Sequence, residues 1–397
     1  MISRNIEKTL MKKTVVVIFG GVSPEHEVSV ITGLQVLANL DSSKYIVIPV
    51  YVSKDGVWYT GDNLASPDTY KDLTRLAEYC NQVYLAPING EWRLIEKQKG
   101  FLKSERTTTI DVIFPCFHGG IGENGAFQGL FEITNIPFVG SDVLGSALGM
   151  DKLSTKYILN SNGINQAKFV CVSSKSQEIP LNFKYPLFVK PNASGSSIGV
   201  SKVNNKKELE NAIDVALCFG DKAVVEEAIE NAREINVSVM GSLNGSIEVS
   251  PCEEVFASSS FLSFEDKYKS GQKGVRGSKG MASASRKIPA ILPPAIKKQI
   301  EDASQRVFKL LNLSGLVRID FLVKEKTNEV FVLEANTIPG SYSFYLWKEA
   351  GVDFSLLCDK LIDIAEKDFA NKKKYTTKFS GNLLSNLGSS LKSPKLL

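Results

Sequence analysis

The chain has 397 residues, of which 43% are hydrophobic and 23% charged, with six cysteines, two histidines and a net charge of +4. A chain of this size forms two or three domains, and its composition, without a basic groove lined by aromatics, argues against a nucleic-acid-binding protein. The apolar runs are too short for a transmembrane helix. The scattered cysteines, without metal-ligand spacing, indicate free thiols, and two histidines are too few for a histidine-rich metal cluster.

A basic segment precedes the first apolar run of the chain. That run, Thr14–Phe19, is too short for a secretory signal and is not followed by a small-residue cleavage site. Met11 offers a second start, so we regard residues 1–11 as a dispensable extension. These features predict a cytoplasmic protein.

The first predicted domain, residues 1–145, alternates strand and helix signals. Its β-branched run Thr14–Phe19 predicts a buried strand, and Tyr45–Val52 and Asp111–Phe117 predict further parallel strands. After the first strand, Ser23 is followed by proline, which predicts an N-cap and the first residue of a helix. This order is typical of an open parallel α/β sheet.

Open α/β sheets bind ligands outside the carboxyl ends of their strands. Glu25 and His118 both fall at that edge of the predicted sheet. For His118 alone, a structural role explains the residue as well as a functional one. Its context, HGGIGENG, favours function, because glycines on both sides let backbone and ligand approach closely.

A single helix predicted over Ser141–Asn162 leads into a second domain, residues 146–228. This domain contains strands predicted over Pro186–Lys190 and Ile198–Val203, joined by the loop PNASGSS. The backbone N–H groups of such a loop can fold over phosphates, and Lys190 at its base adds a positive charge. An ordinary hairpin turn is the alternative interpretation, and no Walker A motif occurs in the chain.

A third domain is predicted over residues 229–370, with a lid loop at about 264–288. Residues 267–287 carry seven Lys or Arg and no acid, which indicates either a solvated loop or a lid that orders over anionic phosphates. Residues 371–397 hold six lysines and no acid, and they are typical of a disordered or loosely docked tail.

The last two predicted strands, GLVRIDFLV and EVFVLEANTIPGS, alternate apolar and polar residues. A hairpin centred on Thr327 would place Asp320 opposite Glu334. The same register places Arg318 opposite Asn336, with all four side chains on one face. Two carboxylates and an amide oxygen form an oxygen-only site suited to Mg²⁺ and phosphates, and the arginine can neutralise developing negative charge. A surface hairpin with solvated charges is the alternative.

These pieces, in this order, resemble the D-alanine–D-alanine ligases of the ATP-grasp superfamily. The matching stretches are GGVSPEHEVS (20–29), HGGIGENGAFQG (118–129), IPFVGSDVLGSALGMDKLSTK (136–156), VKPNASGSSIGV (189–200), FEDKYKS (264–270), RIDFLV (318–323) and LEANTIPG (333–340). The resemblance implies a three-domain α/β and α+β ATP-grasp fold, with ATP between two antiparallel sheets. It also implies D-amino-acid substrates, two Mg²⁺ ions with Mn²⁺ as an alternative, and a homodimer, with no nucleic-acid or membrane partner.

The resemblance also implies a role for each matching residue. The phosphate contacts it implies are Lys152, Lys190, Lys267, Ser196 and Ser197. The adenine and ribose contacts it implies are Glu226, Glu227, Ile229 and Glu234. The metal ligands it implies are Asp320, Glu334 and Asn336. The groups it implies at the first D-alanine are Glu25, Ser196, Tyr268 and His118. The groups it implies at the tetrahedral intermediate are Arg318 and the backbone N–H of Gly340.

The implied reaction activates one D-alanine carboxylate as an acyl phosphate, which the amine of a second D-alanine then attacks. Tyr345 and Leu346 fall at the second substrate, and here the chain departs from the family. Tyr345 stands where the family has a serine, and Lys348 replaces a proline. Three explanations remain open: the phenol binds the acceptor carboxylate, Ser343 does so after a register shift, or the acceptor differs, with D-serine as an example. The basic lid segment is also about ten residues longer than in the family.

Two further classes of protein compete with this interpretation. A nucleotide-binding regulator without turnover has little need for the full set Arg318, Asp320, Glu334 and Asn336. A Rossmann oxidoreductase is suggested by the first strand and its two glycines, but the chain lacks G-x-G-x-x-G and the acid about twenty residues later.

Overall fold

A computed structural model of the protein describes residues 12–98, 100, 104–177, 179–180, 182–256 and 285–375. The strands of these residues form three sheets. None of the described helices is long and apolar enough to cross a bilayer. The proposed extension, residues 264–284 of the predicted lid with Lys267 and Tyr268, and the tail from residue 376 lie outside the described residues. The described end of the predicted lid is a strand, Ser285–Lys287, rather than a loop.

The N-terminal sheet has seven strands. They are β1 (Lys13–Gly20), β2 (Tyr45–Val52), β3 (Trp58–Thr60), β4 (Asn81–Ile88), β5 (Glu91–Glu96), β6 (Arg106–Thr109) and β7 (Val112–Pro115). Their spatial order is β6-β5-β4-β3-β2-β1-β7. β1 pairs in parallel with both β2 and β7, as predicted, whereas β3 to β6 extend the sheet as antiparallel strands. The helices of this part are α1 (His26–Asn39), α2 (Leu76–Tyr79) and α3 (Ala126–Thr134).

Helix α1 begins two residues later than predicted. Ser23 does not cap it, because its hydroxyl donates to the carbonyl of His118 at 2.7 Å and accepts the N–H of Glu25 at 3.0 Å. Glu25 is the N-cap residue, without a side-chain capping bond. The Ser23 hydroxyl therefore ties together the two loops that leave β1 and β7.

The helix predicted over Ser141–Asn162 is wrong as a single element. The structure has two helices, α4 (Val143–Met150) and α5 (Lys152–Ser161). Asp151 lies between them with extended backbone, and its carboxylate accepts the N–H of Ser154 at 2.7 Å. An aspartate that caps a second helix offers the backbone an alternative to continuing the first one.

The central sheet is antiparallel, in the order β10-β9-β11-β8. Its elements are β8 (Phe169–Val172), β9 (Leu187–Pro191), β10 (Ser201–Val203), α6 (Lys206–Leu217) and β11 (Ala223–Glu227). The strand predicted from Ile198 begins only at Ser201. The residues before it turn instead, since Ile198 N–H donates to the Gly195 carbonyl at 3.0 Å.

The C-terminal sheet is also antiparallel, in the order β15-β14-β12-β16-β17 with β13 beside β12. Its strands are β12 (Ala232–Gly241), β13 (Ile247–Val249), β14 (Glu253–Phe256), β15 (Ser285–Lys287), β16 (Gly315–Lys324) and β17 (Val330–Asn336). The helices are α7 (Pro294–Leu310), α8 (Phe344–Lys348) and α9 (Phe354–Lys372). Because α9 continues to Lys372, the start predicted for the tail at residue 371 is too early.

Two apolar clusters hold the site in place. One packs α7 against the C-terminal sheet, and its members include Phe308, Ile319 and Phe321. The other runs from the N-terminal sheet through α8 and α9, and its members include Phe114, Trp347, Leu357 and Leu361. Each large side chain buried in this way contributes ~1.5–3 kcal/mol. The second cluster fixes the N-terminal sheet against the segment that follows β17.

Candidate active site

The hairpin of β16 and β17 has the predicted register at its polar end. Asp320 lies opposite Glu334, and Arg318 lies opposite Asn336. Directly paired residues of an antiparallel ladder project from the same face. The prediction that these four side chains share one face is therefore confirmed.

A β-bulge at Leu333 makes this arrangement compatible with an apolar core. Beyond it, Phe321 pairs with Val332, so one residue of β17 has no counterpart on β16. Val332 therefore points into the core with Phe321, whereas Glu334 points to the opposite face. If the same sequence formed a regular ladder without the bulge, Glu334 and Asn336 would point into the core, because a shift of one residue exchanges the faces.

The polar face continues across two more strands. Asn236 on β12 pairs with Asp320 on one side and with Glu253 on β14 on the other. A row of side chains therefore crosses four strands in the order Glu253, Asn236, Asp320, Glu334. Glu253 was not singled out from the sequence, since its partners are far from it in the chain.

Arg318 and Asp320 form a buried, two-bonded ion pair. Arg318 Nε lies 2.6 Å from Asp320 Oδ1, and Nη2 lies 2.7 Å from Oδ2. Asn336 Nδ2 donates to the same Oδ2 at 3.1 Å. Burial alone would lower the pKa of Arg318, but the Asp320 carboxylate outweighs it and raises that pKa well above its usual value. The guanidinium is therefore a permanent positive charge beside two strand carboxylates.

A cleft between the central and C-terminal sheets brings lysines to this polar face. Its lining includes Lys152, Lys190, Glu226, Glu334 and Asn336. Lys152 donates to the Ser194 carbonyl at 2.5 Å at the base of the serine–glycine loop. Positive charges face a carboxylate and an amide across this cleft, which suits a polyphosphate with a bound cation.

Glu226 is held between two lysines. Its Oε2 lies 2.9 Å from Lys190 Nζ, and its Oε1 lies 3.1 Å from Lys156 Nζ. Burial raises the pKa of Glu226, but the two lysines outweigh it and bring that pKa to about 2. Lys156 was missed from the sequence. It follows Lys152 by four residues on α5, and this helical spacing is the signal that could have revealed it.

The loop between β9 and β10 closes over the first predicted substrate site. Ser196 and Ser197 adopt left-handed backbone with φ of 51° and 61°. The Ser196 hydroxyl donates to the carboxylate of Glu25, which is only 7% exposed. A Cβ at Gly195 would lie 2.6 Å from Glu25 Oε2, so the close approach of this loop requires glycine. The structure thus brings together Glu25, which follows β1, and Ser196, which follows β9.

His118 is buried beside them. Its Nε2 lies 2.8 Å from Thr32 Oγ1, and the backbone of Ile338 forms a further hydrogen bond. Burial, with a smaller effect of the Arg318 charge, lowers the pKa of His118 to about 4. The imidazole is therefore neutral near pH 7.

Glu123 is a second acid that the sequence interpretation missed. It lines the cleft, and its Oε2 accepts the N–H of Gly119 at 2.7 Å. Burial, reinforced by the charge of Glu25, raises the pKa of Glu123 to about 8. Its signal is its place in HGGIGENG, the stretch that drew attention to His118.

The segment after β17 carries the predicted second-substrate residues. Ser343 is fully buried, and its hydroxyl has no hydrogen-bond partner among the described residues. Tyr345 instead donates its hydroxyl to Glu253 Oε2 at 3.2 Å, and burial raises its pKa well above the usual value. Leu346 is fully buried. Tyr345 is thus next to the polar face, whereas Leu346 belongs to the core.

The remaining predicted nucleotide contacts lie along the same two sheets. Glu227 turns its carboxylate to the N–H of Lys184 at 2.9 Å, away from the lysine pair around Glu226. Ile229 is partly buried in the connection between β11 and β12. Glu234 precedes Asn236 by two residues on β12 and shares its face. Gly340 opens the turn after β17.

Comparisons with known proteins agree with this geometry. Residues 14–141 match the family model of the D-Ala D-Ala ligase N-terminus, and residues 158–363 match that of its C-terminus. The chain is 40% identical to the D-alanine–D-alanine ligase of Thermosipho melanesiensis over 361 residues, which cover 90% of this chain and 94% of that protein.

Two solved structures share the fold along almost their full length. The D-alanine–D-alanine ligase of Coxiella burnetii has a TM-score of 0.75 at 27% identity, covering 91% of this chain and 96% of that one. The VanG D-Ala:D-Ser ligase of Enterococcus faecalis has a TM-score of 0.74 at 31% identity, covering 89% and 99%. On these matches, the chain belongs to the D-alanine–D-alanine ligase family and has its ATP-grasp fold.

Proposed function

We propose that the protein joins two D-alanine molecules at the expense of ATP, through an acyl phosphate, to supply a dipeptide for peptidoglycan synthesis. The observation that carries the proposal is that Glu334 and Asn336, which share a face with Arg318 and Asp320, line a cleft together with lysines. The similarity to D-alanine–D-alanine ligases over most of the chain also supports the proposal.

The cleft suits the first half of the reaction. Lys152 and Lys190 would bind the phosphates, with the backbone of the Ser196 loop above them. Lys190 is at present paired with Glu226, which also pairs with Lys156. Lys156 can therefore keep Glu226 neutralised when Lys190 turns to a phosphate. Glu226, Glu227, Ile229 and Glu234 would border the adenosine.

The residues at the mouth of the cleft fit divalent cations. Asp320, Glu334 and Asn336 offer only oxygen ligands that favour Mg²⁺, and Mn²⁺ is an acceptable substitute. Three protein groups leave coordination positions for phosphate oxygens, as is usual for Mg²⁺ in ATP-dependent enzymes. When bound, two such ions would neutralise charge on the phosphates. The Arg318 guanidinium pairs with Asp320 in the structure and offsets its charge.

The donor D-alanine would bind where the three parts of the molecule meet. Glu25 is an ionisable acceptor for its ammonium group, and Ser196 holds that carboxylate in place. Neutral His118 adds no positive charge to compete with the ammonium group. Arg318 and the N–H of Gly340 would stabilise the oxyanion formed when the acceptor amine attacks. For Lys267 we propose the phosphate contact, and for Tyr268 the contact with the first D-alanine, that the resemblance implies.

The wider organisation is proposed in the same way. We assign the three sheets to three domains: residues 1–145, 146–228 and 229–370. We also propose a cytoplasmic homodimer, joined through the N-terminal domain, that has neither nucleic-acid nor membrane partners.

The test is a product assay by mass spectrometry with ATP, Mg²⁺ and a panel of D- and L-amino acids, together with a phosphate-release measurement. We expect D-alanyl-D-alanine as the main product. Failure of D-alanine as the first substrate would contradict the proposal. A main product of D-alanyl-D-serine would favour the alternative acceptor, which Tyr345 at the position of the family serine supports.

A further inference from the structure

Three side chains form a cluster on the polar face of the C-terminal sheet, at the edge away from the phosphate cleft. Arg286 Nη1 lies 3.2 Å from Glu253 Oε1, and the Tyr345 hydroxyl donates to Glu253 Oε2 at 3.2 Å. The Arg286 guanidinium lies 4.6 Å from the centre of the Tyr345 ring, within the range of a cation–π contact. We call these three residues the Arg286 cluster.

The position of the cluster follows from the strand order. β15 and β14 carry Arg286 and Glu253, β16 carries Arg318, and β17 carries Glu334 at the cleft. Neighbouring strands are ~4.8 Å apart, so the backbone of Glu253 lies about 10 Å from that of Asp320, with β12 between them. The cluster and the phosphate cleft therefore flank Arg318 from opposite sides.

Burial separates the roles of the three residues. The Glu253 side chain is 2% exposed, whereas that of Arg286 is 24% exposed and Tyr345 is half-buried. A buried carboxylate is costly unless it is paired, so Glu253 serves to fix the arginine and the phenol. Arg286 and Tyr345 are therefore the more exposed members of the cluster.

The acceptor amino acid requires a binding group for its carboxylate, and the Arg286 cluster offers one. Its amine must approach the acyl carbon beside Arg318, while its carboxylate must stay away from the phosphates, because like charges repel. A guanidinium carries five N–H donors in a planar fork, so it can hold Glu253 and still bind a second carboxylate. A phenol can donate a hydrogen bond to the same carboxylate.

We propose that Arg286 and Tyr345 bind the carboxylate of the acceptor amino acid and that Glu253 is their positioning residue. This inference rests on the proposed function and names the groups that replace the family serine in the second subsite. Recognition then comes from a side chain of β15 rather than from the turn after β17 alone.

The test compares two acceptors, D-alanine and D-alaninamide, with D-alanine as the donor. The amide lacks the carboxylate, so it reports on everything except the proposed contact. We expect Arg286→Met to lower kcat/KM for D-alanine as acceptor by about 10- to 100-fold, the range for a lost charged hydrogen bond, and to leave D-alaninamide unchanged. Tyr345→Phe and Glu253→Gln should raise the acceptor KM by smaller factors, with kcat less affected.

Hydroxylamine provides a separate readout of the first half-reaction. It traps the acyl phosphate as D-alanine hydroxamate, with release of phosphate, and needs no carboxylate subsite. Arg286→Met should therefore form hydroxamate at the wild-type rate, which also shows that the variant is folded. Arg233→Met is the matched control, since Arg233 pairs with Glu254 at 2.6 Å on the opposite face of the same sheet. Arg233→Met should keep the wild-type ratio of kcat/KM for the two acceptors.

Two results would overturn the inference alone. One is that Arg286→Met keeps the wild-type ratio of kcat/KM for D-alanine to kcat/KM for D-alaninamide. The other is that Arg286→Met loses dipeptide and hydroxamate formation equally. Wild-type protein that forms no hydroxamate from ATP and D-alanine would instead overturn the proposed function.

Discussion

Arg318 has two partners in succession in the proposed reaction. It holds Asp320 with two bonds in the structure, and it would later face the oxyanion of the tetrahedral intermediate. A guanidinium suits both tasks, because its planar fork binds two oxygens and its charge does not titrate. Its side chain is 13% exposed, so little water screens either contact.

Replacing Arg318 with alanine tests this double role. We expect Arg318→Ala to lower kcat by a factor of about 100 or more, as for other lost oxyanion donors. Arg318→Lys keeps the charge but not the fork, and should recover only part of the activity. Phosphate-release assays measure kcat for both variants, and circular dichroism verifies that they are folded. Near-normal turnover of Arg318→Ala would contradict the assignment.

Gly119 shows how closely the loops approach Glu25. Its φ is +71°, and a Cβ there would overlap with a Glu25 carboxylate oxygen and lie 2.7 Å from Ser23 Oγ. Gly119→Ala should therefore raise KM for the donor D-alanine by about tenfold or more, because a small displacement of a binding group has a large effect. Gly90→Ala is the control: its φ is +85°, but nothing lies within 4 Å. Equal effects of the two substitutions would show that backbone strain, not the overlap, is responsible.

Glu123 gives the fold a dependence on pH with a defined sign. Its pKa is raised from 4.5 to about 8, so the folded protein binds a proton that the unfolded chain has lost. The contribution is fully present below pH 4.5 and is lost as the pH rises towards 8. The Tm of Glu123→Gln relative to wild type should therefore increase between pH 5 and pH 8, by several degrees. Thermal melts at both pH values test it, and a constant difference would refute the raised pKa.

At the scale of elements, features that depend on the periodicity of apolar residues are predicted well from the sequence. Features that depend on a single residue are predicted poorly. The alternation in β16 and β17 predicts the pairing of Asp320 with Glu334, because register and face are coupled. The bulge at Leu333 has no periodic signal in the sequence, since it changes only which residues of β16 and β17 pair. Asp151 ends one helix and caps the next, which an apolar pattern running through it conceals. Glu253 was missed because only the folded sheet brings it to the site, whereas Lys156 was overlooked although its spacing from Lys152 on one helix was a signal.

Deleting Ala335 tests how the order of residues after the bulge sets the two faces. Asn336 would then follow Glu334 directly and turn to the core face that Ala335 occupies. Burying an unpaired amide costs about 1–3 kcal/mol, so we expect slower phosphate release and a similar fall in the free energy of unfolding. Deleting Leu333 is the control, because it makes the ladder regular and leaves Glu334 opposite Asp320, with the polar end intact. Urea titrations and phosphate release distinguish the two variants.

At the scale of the whole molecule, a short polar chain links the N-terminal sheet to the turn after β17. Thr32 on α1 lies 2.8 Å from His118 Nε2, and its hydroxyl accepts the N–H of Ser341 at 3.2 Å. The Tyr342 hydroxyl donates to the carbonyl of Pro115 in the same region. Ser341, Tyr342 and their neighbour Ser343 all have φ between 45° and 53°, a strained conformation that surrounding contacts must hold. The chain thus connects the donor side of the site to Gly340.

Thr32→Val removes both hydrogen bonds of this link at nearly constant volume. We expect a fall of about 1–3 kcal/mol in the free energy of unfolding, since His118 and Ser341 each lose a buried partner. We also expect a higher KM for the donor D-alanine together with a lower kcat, because the loop that carries Gly340 is no longer fixed to the donor side. Thr134→Val is the matched control: Thr134 is equally buried, but its hydroxyl donates at 2.7 Å to Phe131 within its own helix. Urea titrations and donor kinetics should show a stability loss in both variants and a kinetic effect in Thr32→Val alone. Unchanged kinetics in Thr32→Val would mean that the apolar cluster of α8 and α9 positions Gly340 without this link.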